Sequence, residues 1–199
     1  MDARAALIVL DRDGVLNRTI PNPAEPRPDS PLRVEEVAVF PWVPGALRAL
    51  NDAGFALAIA SNQPAAAKGK ASRPALEAVH ARVLDEAQRA GGVILSSHIC
   101  FHRAEDGCDC RKPRTGLLRE AFARHPQYSP ENSWMVGDRG IDVQAGAAFG
   151  LKTALLPGAA LGDELRALEP LALQPSFCGH DLRDFAEFLL EKSLSDQPL

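Results

Sequence analysis

Apolar runs of strand length alternate with stretches of helical periodicity along most of this 199-residue chain. Residues 5–10 and 55–60 are apolar runs, and the helix-like segments 44–53 and 74–90 follow them, each ended by glycine. Because such alternation is typical of parallel strands joined by crossover helices, we predict an α/β fold with a mainly parallel sheet. Further strands are predicted at 93–95, 99, 134–136 and 153–156, and further helices at 115–122, at 141–149 and from Asp181 onward.

The chain length favours one domain with a sizeable core. We expect this domain to cover residues 1–192 and a frayed tail to follow at 193–199. Residues 18–33 stand apart, because they contain five prolines and are predicted to form a long loop. This loop is either a rigid surface connection or a flap over an active site, since long loops beside a site are often functional.

Net charge and hydropathy disfavour several classes of protein. The net charge of −4 offers no basic surface for nucleic acid or for an anionic membrane. No apolar run approaches the ~20 residues that span a bilayer, and the N-terminus lacks the pattern of a signal peptide. We therefore expect a cytoplasmic protein without a nucleic-acid or membrane partner. The chain shows no long amphipathic seam, so we also expect a monomer.

Polar side chains follow three of the predicted strands. Asp11 follows the first strand, Ser61 and Asn62 follow the second, and Asp138 follows the strand that begins at Trp134. In open α/β sheets, ligands bind beyond the carboxyl ends of the strands. These side chains are therefore predicted to converge on one site.

The residue types in these clusters suit phosphoryl transfer. Asp11 and Asp13 flank one residue, and Gly14 lets the chain turn tightly, so both carboxylates can reach one site. A carboxylate can attack phosphorus to give an aspartyl-phosphate. Several acids at one point need a cation, and oxygen ligands with a substrate phosphate suit Mg2+. Ser61 and Lys112 are candidates to hold the phosphoryl oxygens. An Asp-x-Asp alone is more often a capped turn or a solvated loop.

Three of the four cysteines lie within eleven residues. In a reducing compartment, the cluster of Cys100, Cys108 and Cys110 indicates a metal rather than disulfides. Cys178 has no partner in the sequence and is predicted to be a small core residue.

The motifs together resemble the haloacid dehalogenase (HAD) superfamily of phosphohydrolases. The resemblance implies a Rossmann-like three-layer sandwich without a large cap domain. It extends over nearly the whole chain. The matching segments are Leu10-Asp11-Arg12-Asp13-Gly14-Val15-Leu16-Asn17, Ser61-Asn62-Gln63, Arg111-Lys112-Pro113 and Val136-Gly137-Asp138-Arg139 with Asp142.

The resemblance also implies roles for these residues. Asp11 would be nucleophile and Mg2+ ligand, and Asp138 would be a second Mg2+ ligand. Asp13 would act as general acid and then general base, with its carbonyl on the metal. Asp142 would support the metal site or be a surface acid of its helix. Ser61 and Lys112 would hold the phosphoryl oxygens. The implied substrate contacts are Asn17, Asn62, Gln63, Arg111 and Arg139.

A cysteine-rich loop narrows the resemblance from the superfamily to one subfamily. The loop at 100–110 is similar to the zinc loop of subfamily IIIA, which contains heptose bisphosphate phosphatases and histidinol-phosphate phosphatases. Three thiolates and one imidazole would form a closed structural Zn2+ site that holds the loop together. Buried free thiols are the alternative. The implied ligands are Cys100, His102, Cys108 and Cys110.

The implied activity is hydrolysis of a small phosphorylated substrate. The best candidate is the 7-phosphate of D-glycero-D-manno-heptose 1,7-bisphosphate, because Arg111, with Arg18 or Lys68, could pair with a second phosphate. Histidinol phosphate is the alternative, and its cationic amine would need a carboxylate such as Glu25 or Asp29. Another small sugar phosphate is a further alternative as the substrate.

Other classes of function fit less well. A catalytically silent binding module would not need all of Asp11, Asp13, Lys112 and Asp138. The spacing of the metal ligands differs from that of two-pair zinc fingers, and no Gly-rich loop ends in Gly-Lys-Ser/Thr as in an NTPase. The chain departs from the heptose enzymes at 18–33 and 64–70, so the sequence leaves the substrate open.

Overall fold

The structure, a computed structural model, describes residues 6–23, 28–157 and 160–195. Its described strands form one parallel sheet in the order β3-β2-β1-β4-β5-β6, with helices on both faces. The strands are β1 (Leu7–Leu10), β2 (Ala56–Asn62), β3 (Ser96–Cys100), β4 (Trp134–Gly137), β5 (Lys152–Leu155) and β6 (Phe177–Cys178). The helices are α1 (Val43–Asp52), α2 (Arg73–Gln88), α3 (Gly116–Arg124), α4 (Gly140–Phe149), α5 (Leu161–Leu168) and α6 (Leu182–Ser195).

Strand β1 lies between β2 and β4 and is buried on both faces. Ile8 and Leu10 pack into an apolar cluster that includes residues of α1, α2 and α6. Leu7 and Val9 pack into a second cluster, on the opposite face, with residues of α3 and α4. Side chains alternate between the faces of a strand, so a continuous apolar run such as β1 serves both clusters. The predicted α/β three-layer fold is confirmed, and the described residues carry no inserted cap domain.

Several helix ends follow from local sequence. Ser72 caps α2 by accepting a hydrogen bond from the backbone N of Ala75 at 3.3 Å. Gly150, at φ 87°, ends α4 in the left-handed conformation. Asp181 caps α6 as predicted, because its Oδ1 accepts from the backbone N of Arg183 at 2.8 Å.

The structure corrects three predictions outside the active site and adds two elements that were not predicted, α5 and β6. Residues 93–95 are not a strand; β3 begins at Ser96, and Val93 is half exposed. Cys178 lies in the edge strand β6 and is exposed, so its prediction as a core residue is wrong. Helix α6 continues through Ser195, and the rest of the predicted tail, 196–199, lies outside the described residues.

The extent of the domain, 1–192, stays a prediction. Within the described ranges, no helix is both long and apolar enough to span a bilayer.

Candidate active site

The polar residues at the ends of β1, β2 and β4 meet at one edge of the sheet, as predicted. Asp11, Ser61 and Asp138 line one pocket of ≈620 Å3. One carboxylate oxygen each of Asp11, Asp138 and Asp142 lies within 4.8 Å of the other two. The convergence follows from the parallel sheet, because the carboxyl ends of neighbouring parallel strands face the same way.

Lys112 is the cation of this cluster. Its Nζ lies 3.2 Å from Asp11 Oδ1 and 2.6 Å from Asp142 Oδ1, and it donates to the Ala60 carbonyl at 2.6 Å. Burial acts to lower the pKa of Lys112, but the charges of Asp11 and Asp142 outweigh it and the pKa is raised. Lys112 is therefore charged, and it contacts two of the three carboxylates while neutralising only one negative charge.

Asp142 is fully buried, which excludes the alternative of a surface acid on its helix. Burial raises the pKa of Asp142 to about 6, against the attraction of Lys112. Its Oδ2 accepts from the backbone N of Arg139 at 3.2 Å, so Asp142 also caps α4. It thus connects the lysine to the loop that carries Asp138.

Asp138 has the features of a cation ligand. Its buried Oδ1 has no hydrogen-bond partner in the part of the chain that the structure describes. Burial, followed by the charges of Asp11 and Asp142, raises the pKa of Asp138 well above its usual range. Gly14 has φ 88°, and a Cβ there would overlap the Asp138 carboxylate. The three acids share one lysine, so the donor set fits an added divalent cation such as Mg2+.

Asp13 is held by three donors. The Arg12 guanidinium contacts its carboxylate at 3.0–3.2 Å, Asn17 Nδ2 donates at 2.8 Å and Gln63 Nε2 donates at 2.5 Å. Burial acts to raise the pKa of Asp13, yet Arg12 and these hydrogen bonds lower it overall. Asn17 and Gln63 are buried behind Asp13. Each amide orients Asp13 through its nitrogen, while Asn17 Oδ1 and Gln63 Oε1 have no hydrogen-bond partner among the described residues, so the role of both residues as substrate contacts stays a prediction.

The other predicted substrate contacts divide into two groups. Asn62 and Arg139 line the pocket, and Arg139 Nε is buried without a partner among the described residues. Asn62 also exchanges two hydrogen bonds with the backbone of Lys112, at 3.0 and 3.1 Å. Arg111 instead donates to the His102 carbonyl at 3.2 Å and is absent from the described pocket wall. The Arg111 side chain thus turns toward the cysteine-rich loop, and its contact with substrate stays a prediction.

The cysteine-rich loop brings its four predicted ligands together. The three Sγ–Sγ distances among Cys100, Cys108 and Cys110 are 3.3–3.7 Å, and His102 Nδ1 lies 3.2 Å from Cys110 Sγ. Burial and the neighbouring thiols raise the pKa of Cys110 to about 12. Thiols this close would ionise together only around a bound cation, and the ligand set and spacing fit tetrahedral Zn2+, for which Zn–S is about 2.3 Å.

One wall of the pocket is formed by residues that were not predicted from the sequence. Residues of α5 and of the turn before α6 line it, among them Glu164 and His180, opposite the stacked rings of Phe40 and Trp42. A signal for α5 exists in the sequence, because Leu161, Leu165 and Leu168 recur at helical spacing. The element is short, and this signal is correspondingly weak.

The proline-rich segment contributes to the same pocket. Thr19, Pro28 and Ser30 are among its lining residues. Asp29 forms a two-way backbone bridge with Ile20, and its carboxylate accepts from Lys70 Nζ at 2.8 and 2.9 Å. The described part of the segment therefore forms pocket wall.

Comparison with known proteins relates this geometry to a family of phosphatases. The chain matches the HAD-hydrolase-like family over residues 109–185. It is 34% identical to the D-glycero-β-D-manno-heptose-1,7-bisphosphate 7-phosphatase of Pseudomonas putida over 187 residues, 92% of this chain and 99% of that protein. It is 31% identical to the D-glycero-α-D-manno-heptose-1,7-bisphosphate 7-phosphatase of Mycobacterium tuberculosis over 164 residues, 78% of this chain and 81% of that protein.

A solved structure agrees with these sequence matches. The D,D-heptose 1,7-bisphosphate phosphatase of B. bronchiseptica, complexed with magnesium and phosphate, superposes with a TM-score of 0.80 at 29% identity. The alignment covers 94% of this chain and 99% of that chain.

Proposed function

Because this chain belongs to the HAD-hydrolase-like family, we propose that it is a Mg2+-dependent phosphatase that removes the 7-phosphate of D-glycero-D-manno-heptose 1,7-bisphosphate. The observation that carries the proposal is the pocket at the end of β1, where Asp11 lies beside the buried Lys112 and the partner-free oxygen of Asp138. The heptose-bisphosphate phosphatases match this chain over most of its length, which supports the substrate.

Asp11 is the proposed nucleophile. Its Oδ1 accepts from the backbone N of Arg12 at 2.7 Å and lies beside Lys112, so Oδ2 is the oxygen that remains for attack. Attack on phosphorus forms the aspartyl-phosphate and breaks the bond to the sugar oxygen, which takes a proton from Asp13. Water then attacks the same phosphorus while Asp13 accepts its proton. The bond between phosphorus and the Asp11 oxygen breaks, so that inorganic phosphate leaves and the Asp11 carboxylate is restored.

The protonation of Asp13 must be coupled to substrate binding. In the free protein, Arg12, Asn17 and Gln63 favour its ionised form. A phosphate dianion bound beside Asp13 raises the pKa of that carboxyl, because two nearby negative charges repel. Asp13 thus takes up its proton as the substrate arrives, and it returns to the carboxylate that the second step needs.

Mg2+ would be held by the carboxylates of Asp11 and Asp138 and by the Asp13 carbonyl. When bound, it would neutralise charge on the phosphate and draw the phosphate toward the nucleophile. Lys112 and Ser61 would hold the remaining phosphoryl oxygens. Asp142 does not need to bind the metal in this arrangement, because it already pairs with Lys112.

We propose a structural Zn2+ in the loop at 100–110, held by Cys100, His102, Cys108 and Cys110. Cys110 is two residues before Lys112, and Asn62 holds the Lys112 backbone from the other side. A closed metal site would therefore stabilise the path of the chain that delivers the lysine.

The carboxylates of the pocket favour a sugar phosphate over histidinol phosphate. Asp163 pairs with Arg166, Asp181 caps α6, and Glu164 accepts from the backbone of Gly140. Each is engaged, so none of the three is left to bind a cationic amine. Asp29 likewise pairs with Lys70, and Glu25 lies outside the described residues.

We also propose that the enzyme acts as a monomer in the cytoplasm. The absence of a long amphipathic seam from the sequence supports the monomer, and a cysteine-rich metal loop suits a reducing compartment. Light scattering and cell fractionation test these two statements.

The decisive experiment is a phosphate-release panel with heptose 1,7-bisphosphate in both anomers, histidinol phosphate and common hexose phosphates, each with Mg2+ and with EDTA. We expect kcat/KM to be highest for a heptose bisphosphate, and no turnover in EDTA. Preference for histidinol phosphate would overturn the substrate assignment. Full activity in EDTA would overturn the metal-dependent mechanism.

A further inference from the structure

Glu164 is a buried carboxylate with an unusual target. It lies in α5, and its Oε2 accepts a hydrogen bond from the backbone N of Gly140 at 2.7 Å. Gly140 is the first residue of α4, where backbone N–H groups have no partner within the helix. A carboxylate at this end also interacts favourably with the helix dipole. Glu164 thus caps a helix 24 residues earlier in the chain.

The capped end of α4 lies directly beside the proposed metal ligand. Asp138 and Arg139 are the residues between Gly137, which ends β4, and Gly140. The carbonyl of Gly137 accepts from the backbone N of Leu156 at 2.8 Å, so the chain is held on the β4 side as well. The direction of the Asp138 side chain therefore depends on three anchors: the Gly137 carbonyl, the Asp142 carboxylate on the backbone N of Arg139, and the Glu164 carboxylate on the backbone N of Gly140.

The space around Asp138 leaves little tolerance for movement of these anchors. On one side, the Asp138 carboxylate lies against Gly14, where even a Cβ would overlap it. On the other side, α5 packs closely on α4: a Cβ at Gly140 would lie 3.4 Å from Leu168 Cδ2 and 3.5 Å from Glu164 Oε2. Leu168 is fully buried in a cluster with Val143. The carboxylate of Glu164 is thus held by core packing.

We propose that Glu164 is a positioning residue that sets the affinity of the site for its divalent cation, acting through Gly140 on Asp138. This inference rests on the proposed role of Asp138 as a Mg2+ ligand. Partners that orient a metal ligand typically change metal affinity ~10- to 100-fold when removed. Glu164 itself bonds to neither the metal nor the phosphate.

The test is a binding titration without substrate. Mn2+, which electron paramagnetic resonance detects, is the probe, and Mg2+ competition reports the physiological ion. Glu164→Met removes the acceptor and keeps the length of the side chain, while Glu164→Gln keeps an amide oxygen for Gly140. Asp163→Asn is the matched control, because Asp163 is on the same turn, is largely exposed and pairs with Arg166. Leu168→Ala weakens the packing of α5 without removing the hydrogen bond.

We expect Glu164→Met to weaken Mn2+ binding by about tenfold or more, and Glu164→Gln to stay within about threefold of the unchanged protein. Asp163→Asn should not alter the dissociation constant. Leu168→Ala should lower the melting temperature in EDTA with a smaller effect on Mn2+ affinity than Glu164→Met.

Two results overturn the inference alone: unchanged Mn2+ affinity in Glu164→Met with only a lowered melting temperature, or a tenfold loss in Glu164→Gln. The second criterion holds even if Glu164→Met fails to fold. Absence of Mn2+ and Mg2+ binding in the unchanged protein would overturn the proposed function, and the inference with it.

Discussion

The ammonium group of Lys112 lies between the carboxylates of Asp11 and Asp142, 3.2 Å from the first and 2.6 Å from the second. Its side chain is fully buried, so water does not screen these pairs. One residue thus contacts the proposed nucleophile and is also placed to meet the incoming phosphate.

Replacing Lys112 should therefore harm both activity and folding. For Lys112→Met we expect kcat to fall by about 10²–10³ or more, equivalent to ~3–4 kcal/mol of transition-state stabilisation. The free energy of unfolding should fall by about 3 kcal/mol, because buried carboxylates lose their partner. Steady-state kinetics and urea titration measure the two effects. Lys152→Met, at an exposed position, is the control; equal kinetics in both variants would contradict the assignment.

Asp11→Asn should abolish turnover without unfolding the protein. The amide has nearly the shape of the carboxylate but is not a competent nucleophile, so we expect a rate loss of about four orders of magnitude or more. Phosphate release measures the loss, and circular dichroism checks the fold. Mass spectrometry of quenched turnover should detect a phosphoryl adduct only when Asp11 is present. Turnover by Asp11→Asn near the normal rate would refute the covalent mechanism.

Elemental analysis of the purified protein should find about one zinc per chain, since four donors make one closed site. Cys108→Ser should lose the zinc and lower the melting temperature. Cys178→Ser is a matched control, because Cys178 is a free, exposed thiol in β6. Equal zinc content in the two variants, or none in the unchanged protein, would remove the basis for the metal loop.

The Lys70–Asp29 pair should affect substrate binding more than the chemical step. Lys70 donates to both oxygens of Asp29 and lowers the pKa of that carboxyl, so the pair persists until the pH falls through the lowered value. Lys70→Met should raise KM for heptose bisphosphate about fivefold, corresponding to ~1 kcal/mol for a half-exposed pair.

Acetyl phosphate, which is too small to reach the proline-rich segment, separates the two effects. Its kcat should be unchanged in Lys70→Met, and Lys152→Met, at an exposed position outside the described pocket wall, should behave like the unchanged protein with both substrates. A loss of kcat with acetyl phosphate would show that Lys70 acts on the catalytic groups instead.

The central strands could be predicted because of where they lie. β1, β2 and β4 are buried on both faces, so they are continuous apolar runs in the sequence. β3 is an edge strand and begins with the polar residues Ser96-Ser97-His98. The apolar run at 93–95, just before it, therefore has the stronger strand pattern in the sequence. β6 has only two residues and also lies at an edge, so its burial pattern carries little information.

The residues of the active site likewise divide into those that the sequence could predict and those that it could not. Asp11, Lys112 and Asp138 could be predicted because each follows a strand end or matches a motif. The contact of Asn17 and Gln63 with Asp13 could not be predicted, since an amide that orients an acid and an amide that binds a sugar look alike in sequence. Only the three-dimensional arrangement shows which group each side chain faces.

The position of β1 in the middle of the sheet has a consequence for how such an enzyme can diverge. The proposed catalytic groups Asp11, Ser61 and Asp138 come from β1 and its immediate neighbours, and Lys112 comes from the loop before α3. The pocket wall instead comes from the proline-rich segment, α5 and the turn before α6. Mutations accumulating in the wall leave the core residues beneath Asp11 unaltered. Related proteins can therefore change their specificity among phosphate esters while the residues of the hydrolytic centre stay the same.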